Sequence, residues 1–300
     1  MDYKEYLSKL LDQTVQKGAS DLHINVGLRP HLRVDGFLQP MPDELVVTSE
    51  ISQNFVDVLL TSEQKERFLK NREIDFGFAY HTKSRFRINI YYERGYVSAA
   101  FRFIPAKVMT IEDMEMPPVL HDFTKLNQGF VLVVGPAGHG KSATLAALAD
   151  EINHTRREHI ITIEDPVERV FIPDKSLISQ REVYSDTVDF HSAIRTVLRQ
   201  DPDVIVIGEM RDMESISVAL TAAETGHLVF SSLHTNSVAQ TIDRIIDSFP
   251  PEKQNQAIAQ LAATLSGIVS KRLIPKIGGG RIAATEILIV NTAVRNLIRE

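Results

Sequence analysis

The fold of this chain is decided by one stretch, Gly135-Pro136-Ala137-Gly138-His139-Gly140-Lys141-Ser142. It follows the apolar run 130–134 and precedes the alanine- and leucine-rich segment 143–148. This order of buried strand, glycine loop and helix start is the setting in which the pattern G-x-x-x-x-G-K-[ST] binds phosphates. Glycines let the backbone wrap a polyphosphate so that successive N–H groups point inward, and the helix N-terminus adds positive partial charge. The stretch therefore predicts a nucleotide site.

Two side chains of this stretch carry chemistry that a plain Gly/Pro turn would not need. Lys141 can reach the β- and γ-phosphates of a nucleotide, and the Ser142 hydroxyl can bind Mg²⁺. ATP and Mg²⁺ are therefore the predicted ligands. The predicted nucleotide-binding residues are Gly135, Pro136, Ala137, Gly138, His139, Gly140, Lys141, Ser142 and Ala143.

Length and composition limit the class of protein. A chain of 300 residues suggests about two domains. Its 33 Lys and Arg against 39 Asp and Glu give a net charge of −6, which provides no basic footprint for nucleic acid. It has no cysteine, which excludes disulfides and suits a reducing compartment. Because no signal core and no run of ~20 apolar residues is present, we expect a cytoplasmic protein without membrane insertion.

Residues 1–105 are predicted to form a smaller α+β domain. Helical spacing over Tyr3–Gln16 and capped segments after Thr48 and Thr61 predict helices. Alternating segments predict strands near 21–26, 32–34, 74–80, 84–92 and 96–103. Consecutive strands of this kind predict an antiparallel sheet with helices on one side.

The last two of these strands place arginines on the face away from the apolar side. Phe86, Ile88 and Ile90 share one face, so the residues between them share the other. Two interpretations stay open: a solvated face, or arginines that reach a phosphate in a neighbouring subunit. The arginines concerned are Arg85, Arg87 and Arg102, with Arg94 at the turn.

Residues 123–300 are predicted to form a doubly wound α/β core, after a Pro-containing linker over 106–122. Short β-branched runs at 131–134, 160–163, 204–207 and 228–230 fit parallel strands buried on both faces. Helical patterns cover 141–153, 189–199, 212–225, 237–247 and 251–270. A hairpin over 272–290, turning at Gly278-Gly279-Gly280, and a helix from Thr292 complete the prediction.

Two acidic side chains follow strands of the predicted sheet. Glu164 and Glu209 lie at carboxyl ends, where such sheets bind ligands, and Gly208 leaves room for a close approach. One acid can activate the attacking water while the other supports the Mg²⁺ shell. We predict Glu164 as general base and Glu209 as metal ligand beside Ser142, and the reverse assignment stays open. A cap or surface carboxylate is the alternative for each.

Two histidines flank the fourth predicted strand of the core. His234 lies at the carboxyl end, where it can sense the γ-phosphate. His227 lies at the amino end, roughly 20 Å away at the usual rise per strand residue, which favours a structural or interface role. A simple hydrogen-bonded histidine is the alternative for both.

Four blocks, in this order and spacing, resemble the secretion ATPase superfamily, and most closely its PilT-type retraction ATPases of type IV pili. The blocks are 135–142, 163–168, 208–212 and 226–235, which match the family's Walker A motif, Asp box, Walker B motif and His box. Segments 19–23, 179–183, 220–229 and 294–300 also look like that branch. The resemblance covers nearly the whole chain.

The resemblance implies a PAS-like N-terminal domain, a RecA-like ATPase domain and a ring of six subunits. Hydrolysis of ATP would turn this ring against a platform protein at the inner membrane face and power pilus retraction and twitching motility. Family members run on into further helices beyond the position of Glu300. The family's catalytic side chains match Glu164, Glu209, His227, His234, Arg87, Arg94 and Arg102.

The loop departs from the family's usual G-P-T-G-S-G-K-S-T at Ala137, His139 and Ala143. Because Lys141 and Ser142 remain, ATP binding is still expected. His139 adds a titratable group near the phosphates, and its protonation is predicted to make nucleotide affinity depend on pH.

Other functions stay open at this point. A pilus extension or type II secretion ATPase of the same superfamily fits the same motifs, since the direction of force is visible only through resemblance. A nucleic-acid translocase is disfavoured by the net charge of −6. A nucleotide-dependent regulator or assembly protein without turnover is disfavoured by the intact Lys141, Glu164 and Glu209.

Overall fold

The computed structural model describes residues 1–80, 84–105, 107–277 and 279–300. Its chain divides into two compact units. The first holds the residues up to 105 together with 168–170, and the second holds residues 107–167 and 171–300. Two predicted features fall partly outside the described residues: Ala106, at the start of the predicted linker, and Gly278, in the turn of the predicted hairpin.

The described part of the first unit combines three helices with six strands. The helices are α1 (Tyr3–Gln16), α2 (Ser49–Leu59) and α3 (Ser62–Asn71), and the strands are β1 (Asp21–Ile24), β2 (His31–Val34), β3 (Phe37–Pro40), β4 (Glu73–Tyr80), β5 (Ser84–Glu93) and β6 (Tyr96–Pro105). The sheet order is β3-β2-β1-β6-β5-β4, and every neighbouring pair is antiparallel. The predicted α+β architecture is confirmed.

Alternation along β5 and β6 decides which face of this sheet is buried. Phe86, Ile88 and Ile90 are at most 1% exposed and join a core that α1, α2 and α3 supply with side chains. Arg87 and Arg102 are register partners on the opposite face. The sequence pattern therefore separated the core face from the arginine face correctly.

The described part of the second unit holds seven helices and seven strands. The helices are α4 (Leu120–Thr124), α5 (Lys141–Thr155), α6 (Phe190–Val197), α7 (Met213–Glu224), α8 (Val238–Asp247), α9 (Pro251–Thr264) and α10 (Thr292–Arg299). The strands are β7 (Gly129–Val134), β8 (His159–Glu164), β9 (Leu177–Glu182), β10 (Val204–Ile207), β11 (Leu228–Leu233), β12 (Leu265–Pro275) and β13 (Arg281–Ile289).

The sheet of this unit has the order β13-β12-β7-β11-β10-β8-β9. All neighbours are parallel except β12 and β13, which form an antiparallel pair. Along β7, Phe130, Leu132 and Val134 pack into one core and Val131 and Val133 into another. A strand buried on both faces needs apolar residues at every position, which is why residues 130–134 are a continuous apolar run. The predicted α/β core is confirmed.

Residues 265–270 are a strand, so the predicted helix over 251–270 was wrong in its last third. Leu265, Ile268 and Val269 have a spacing that also suits a helix, and short apolar runs do not distinguish the two. The free edge of β7 decides between them, because β12 pairs with it in parallel. Gly267 lies at the register shift, where an added Cβ would lie 2.3 Å from the Phe123 ring.

Strand β3 (Phe37–Pro40) of the first unit was not predicted, and two other stretches of the second unit differ from the prediction. Residues 177–182, for which the sequence predicts no element, form β9 at the edge of the sheet beside β8. Residues 107–122, predicted as a linker, contribute Ile111, Met116 and Leu120 to the core of the second unit. Prolines in this segment break helical and strand periodicity but do not prevent burial.

Among the described residues, no helix combines the length and the apolar character that crossing a membrane requires.

Candidate nucleotide site

The phosphate-binding loop spans the turn from the end of β7 at Val134 to the start of α5 at Lys141. Gly138 and Gly140 have φ angles of +76° and +81°, a conformation that side chains with a Cβ rarely adopt. Gly140 precedes α5, and no side chain caps the helix start. The first N–H groups of α5 therefore face an open loop, where a polyphosphate can accept their hydrogen bonds.

Lys141 is folded back onto the loop. Its ammonium donates to the carbonyl oxygens of Gly135 at 2.9 Å and Pro136 at 3.1 Å, and it lies 3.2 Å from Nδ1 of His234. The residue is only 7% exposed. The ammonium thus lies inside the loop that the pattern predicted, where phosphate oxygens can replace these two carbonyl acceptors.

His234 joins the loop lysine to an acid. An ammonium can only donate, so Nδ1 of His234 accepts and the ring proton lies on Nε2, 3.2 Å from Oε1 of Glu209. Oε2 of Glu209 accepts from Arg211 at 3.2 Å. That hydrogen bond raises the pKa of Arg211 above its ordinary value, which keeps the guanidinium charged. Lys141, His234 and Glu209 therefore form one connected chain of polar contacts.

Glu164 ends β8 next to the β10 segment that leads to Glu209. Its Oε1 accepts from the Thr162 hydroxyl at 2.6 Å and from Nε2 of Gln180 at 3.2 Å. A Cβ on Gly208 would lie 3.9 Å from Cγ of Glu164, so the glycine lets the two strand ends come close. The two acids therefore occupy neighbouring carboxyl ends, as predicted, but they are held by different partners.

His227 lies apart from this cluster. It precedes β11, whose six residues separate it from His234 by about 20 Å at the usual strand rise. Its Nδ1 contacts the Ala222 carbonyl at 2.9 Å, at the end of α7. The ring borders a polar cavity of about 300 Å³ that Arg156 and Asp203 also line. A direct contact with the phosphates of its own chain does not fit this position.

The three arginines that the resemblance assigned to catalysis belong to the first unit. Arg87 pairs with Asp75 through Nη2 at 2.6 Å, and Arg102 pairs with Asp21 at 3.1 Å. Arg94 is exposed at the β5–β6 turn, with a φ angle of +51°. Each is therefore presented on the surface or paired with an acid of its own unit.

Several residues of the site were not singled out from the sequence. Thr162 and Gln180 hold Glu164, and Arg211 holds Glu209. Gln180 and Arg211 lie in blocks that carry the family resemblance, so a signal existed for both. His139, noted as a departure, has a definite partner: its Nδ1 accepts the Leu273 N–H of β12 at 2.9 Å.

Gly135→Ala is expected to lower the free energy of unfolding by about 2–4 kcal/mol. Gly135 has a φ angle of +147°, and an added Cβ would lie 2.2 Å from the Lys271 carbonyl oxygen. Gly138→Ala is the matched control, since nothing lies within 4 Å of its Cβ position. Its expected cost is about 1 kcal/mol, from the backbone alone. Denaturant unfolding of both variants measures the difference, and equal losses would contradict this close packing.

Comparison with known proteins connects this site to a family. Residues 3–281 match the family model for type II/IV secretion system protein. The type IV pilus retraction ATPase PilT of Pseudomonas aeruginosa is 46% identical over 98% of this chain and 85% of its own length. A twitching motility protein of Neisseria gonorrhoeae is 42% identical over 98% of this chain and 78% of its own.

A solved structure gives the same result for the fold. The pilus retraction motor PilT with bound ADP superposes with a TM-score of 0.93 at 44% identity, covering 98% of this chain and 85% of that one. These similarities confirm the resemblance to PilT-type ATPases that the four sequence blocks predicted, and with it the RecA-like core and the smaller PAS-like domain. The chain therefore belongs to the type II/IV secretion system protein family and is a nucleotide-binding ATPase of that family.

Proposed function

We propose that this chain hydrolyses ATP to retract type IV pili, as one subunit of a ring of six that acts on a pilus platform protein at the cytoplasmic face of the inner membrane. One observation carries the proposal: the connected Lys141–His234–Glu209 cluster lies at the phosphate loop of a chain that is 46% identical to a pilus retraction ATPase. Twitching motility would be the cellular result of this activity.

The side chains present suit ATP and Mg²⁺. The uncapped start of α5 and the loop glycines offer amides to the phosphates, and Lys141 exchanges its carbonyl partners for phosphate oxygens. Mg²⁺ would be held by the Ser142 hydroxyl and Glu209, and it would offset phosphate charge. One carboxylate is enough, because Mg²⁺ usually keeps several waters and binds the substrate phosphates as well.

Glu164 is the proposed general base. Thr162 and Gln180 both donate to its Oε1 and so orient the carboxylate, which would take the proton of the attacking water. His234 would report the γ-phosphate to Glu209, since it contacts both the loop lysine and that acid. His227, at the far end of β11, is proposed for a contact between subunits.

Arg87, Arg94 and Arg102 are proposed to contact the nucleotide of a neighbouring subunit. An arginine that acts in this way offsets the charge that develops on the transferred phosphoryl group. Arg87 and Arg102 would exchange their present carboxylate partners, Asp75 and Asp21, for phosphate oxygens.

Arg102→Ala is expected to lower ATP turnover at least about tenfold, by loss of a charge that acts across subunits. Arg33→Ala is the matched control, because Arg33 faces the same carboxylate of Asp21 at 3.9 Å. Equal mixing of Arg102→Ala and Glu209→Gln chains should then restore about a quarter of parent turnover, since sites with both groups intact reappear. No recovery on mixing would place the arginine in its own chain's site, and parent-like turnover of Arg102→Ala alone would remove it from catalysis.

The cellular role is tested in the organism that carries this chain. Cells whose sole copy is Glu209→Gln should keep surface pili and lose twitching motility, because filaments that cannot be withdrawn remain outside. Loss of the surface pili themselves would instead indicate an extension ATPase. Unchanged pili together with impaired protein export would indicate a type II secretion ATPase.

A further inference from the structure

Strand β12 carries a buried lysine beside the phosphate loop. Lys271 is 3% exposed, and its Nζ donates to the Thr144 hydroxyl at 3.0 Å and approaches Sδ of Met114 at 3.8 Å. In the part of the chain that the structure describes, no carboxylate pairs with it. Lysines are almost never this buried without an ion pair, because the ammonium loses its hydration. Some group must therefore offset the cost of burying this ammonium.

The charged groups around Lys271 do not include a negative partner for its ammonium. The acids of the neighbouring segment have other partners: Glu112 contacts His121, Asp113 contacts Lys107 and Glu115 contacts Lys276. Strand β13 places Thr285 opposite Lys271, and β7 ends in apolar residues. The remaining groups nearby do not offset the positive charge of Lys271 either. These are Lys141, His139 and the N-terminal end of α5, none of which carries a negative charge. A negative partner has to come from outside the chain.

Lys271 touches the phosphate loop at two places. The Thr144 hydroxyl that accepts from Nζ donates in turn to the Gly140 carbonyl at 3.1 Å, and a Cβ on Gly140 would lie 3.3 Å from Nζ. The Lys271 carbonyl oxygen lies against Gly135, so closely that a Cβ there would be 2.2 Å away. The ammonium is thus directly behind the glycine that precedes α5.

We propose that Lys271 is a positioning residue of the nucleotide site, which supports the phosphate loop through Thr144 and whose positive charge is balanced by the phosphates of the bound nucleotide. The role rests on the proposed nucleotide function and adds a second lysine to it. Lys141 meets the phosphates from within the loop, whereas Lys271 acts from behind it through the electrostatic field and the Thr144–Gly140 contacts. The nucleotide is the missing counter-charge.

Burial lowers the pKa of Lys271 to about 8. Without nucleotide, the cost of burying the charge is fully present below about pH 8 and disappears as the pH rises toward the ordinary lysine pKa of 10.5. A polyphosphate nearby favours the charged form and raises this pKa. Nucleotide binding at or above pH 8 should therefore take up a proton, and affinity should fall as the pH increases from 8 toward 9.5.

The test uses Lys271→Met, which removes the ammonium and keeps an unbranched apolar side chain. At pH 7 the variant should unfold at a higher temperature than the parent when nucleotide is absent, and it should bind ADP about tenfold more weakly. A purely structural lysine would move stability and affinity in the same direction. Calorimetry of ADP binding in two buffers of different ionisation enthalpy should detect proton uptake at pH 8.5 in the parent and not in the variant.

Two further variants separate the contact with Thr144 from the charge of Lys271. Lys271→Gln retains a donor for Thr144, so it should keep the loop contact and lose the alkaline pH dependence. His139→Ser should keep that dependence, because the titrating group is Lys271. Parent-like ADP affinity and pH profile in both Lys271 variants would overturn the role of this lysine alone. Absence of ADP binding by the parent would overturn the nucleotide function as well.

Discussion

Lys141→Ala should weaken binding of ADP and ATP by at least about 100-fold, since truncating one partner of a buried, charge-assisted contact costs several kcal/mol. The ammonium lies within the loop, 2.9 Å from the Gly135 carbonyl and 3.2 Å from His234. Charged phosphate oxygens form stronger hydrogen bonds than a carbonyl or an imidazole, so they compete well with these two groups for the ammonium. Alanine leaves the loop amides in place but removes the one full positive charge that the loop itself carries toward the phosphates.

The matched control for this variant is Lys125→Ala. Lys125 belongs to the same unit, but its side chain is 70% exposed and pairs with Asp122 on the surface. Exposed pairs of this kind contribute little, so affinity and stability should stay close to those of the parent. Isothermal titration with ADP and Mg²⁺ measures both variants. Parent-like affinity in Lys141→Ala would contradict the position of the phosphates proposed here.

Glu164→Gln and Glu209→Gln should each lower ATP turnover by about 10²- to 10⁴-fold, the usual range for loss of a catalytic acid or base. Their other properties should differ, because the two side chains have different partners. Glu164 is held by Thr162 and Gln180, whereas Glu209 is linked through His234 to the loop lysine. Because Glu209 is the proposed Mg²⁺ ligand, Glu209→Gln should raise the Mg²⁺ concentration needed for half-maximal turnover. Glu164→Gln should leave that concentration unchanged.

Phosphate release measured across a Mg²⁺ series separates the two acids. Glu224→Gln is a suitable control, because Glu224 is exposed at the end of α7 and contacts Gln260 through a hydrogen bond that an amide can also accept. A shift in Mg²⁺ requirement with Glu164→Gln instead of Glu209→Gln would reverse the assignment. Turnover unchanged in both variants would remove these acids from catalysis.

Much of the fold could be predicted from the sequence, because the patterns concerned have a direct physical cause. The central parallel strands predicted in the second unit, β7, β8, β10 and β11, are largely apolar runs, because each is buried on both faces. Thr48 and Thr61 cap α2 and α3 through their hydroxyls, so both helix starts could be located from sequence. Glu164 and Glu209 could be brought together because parallel strands end at the same edge of a sheet.

The two missed strands have different physical causes: a distant pairing partner for one and a weak pattern for the other. Residues 265–270 have a spacing compatible with a helix. They form a strand because they pair with the edge of β7, which lies more than a hundred residues earlier in the chain. Strand β9 is an edge strand with mixed polarity, so its pattern is weak. Its importance lies in Gln180, which contacts Glu164.

Lys271 shows most clearly what a local sequence pattern cannot predict. It lies just beyond a segment that looked helical, and a lysine in such a position is usually solvated. Its burial depends on β12 pairing with β7 and on the phosphate loop closing over it. No local pattern in the sequence distinguishes this lysine from a surface residue, whereas Lys141 is marked by the glycines around it.

We propose that the loop between β7 and α5 holds a nucleotide through Lys141. Isothermal titration of the purified chain with ADP and ATP in the presence of Mg²⁺ tests it most directly. Saturable uptake of both nucleotides is expected for the parent, and its loss is expected for Lys141→Ala. A flat titration of the parent with both nucleotides would contradict it.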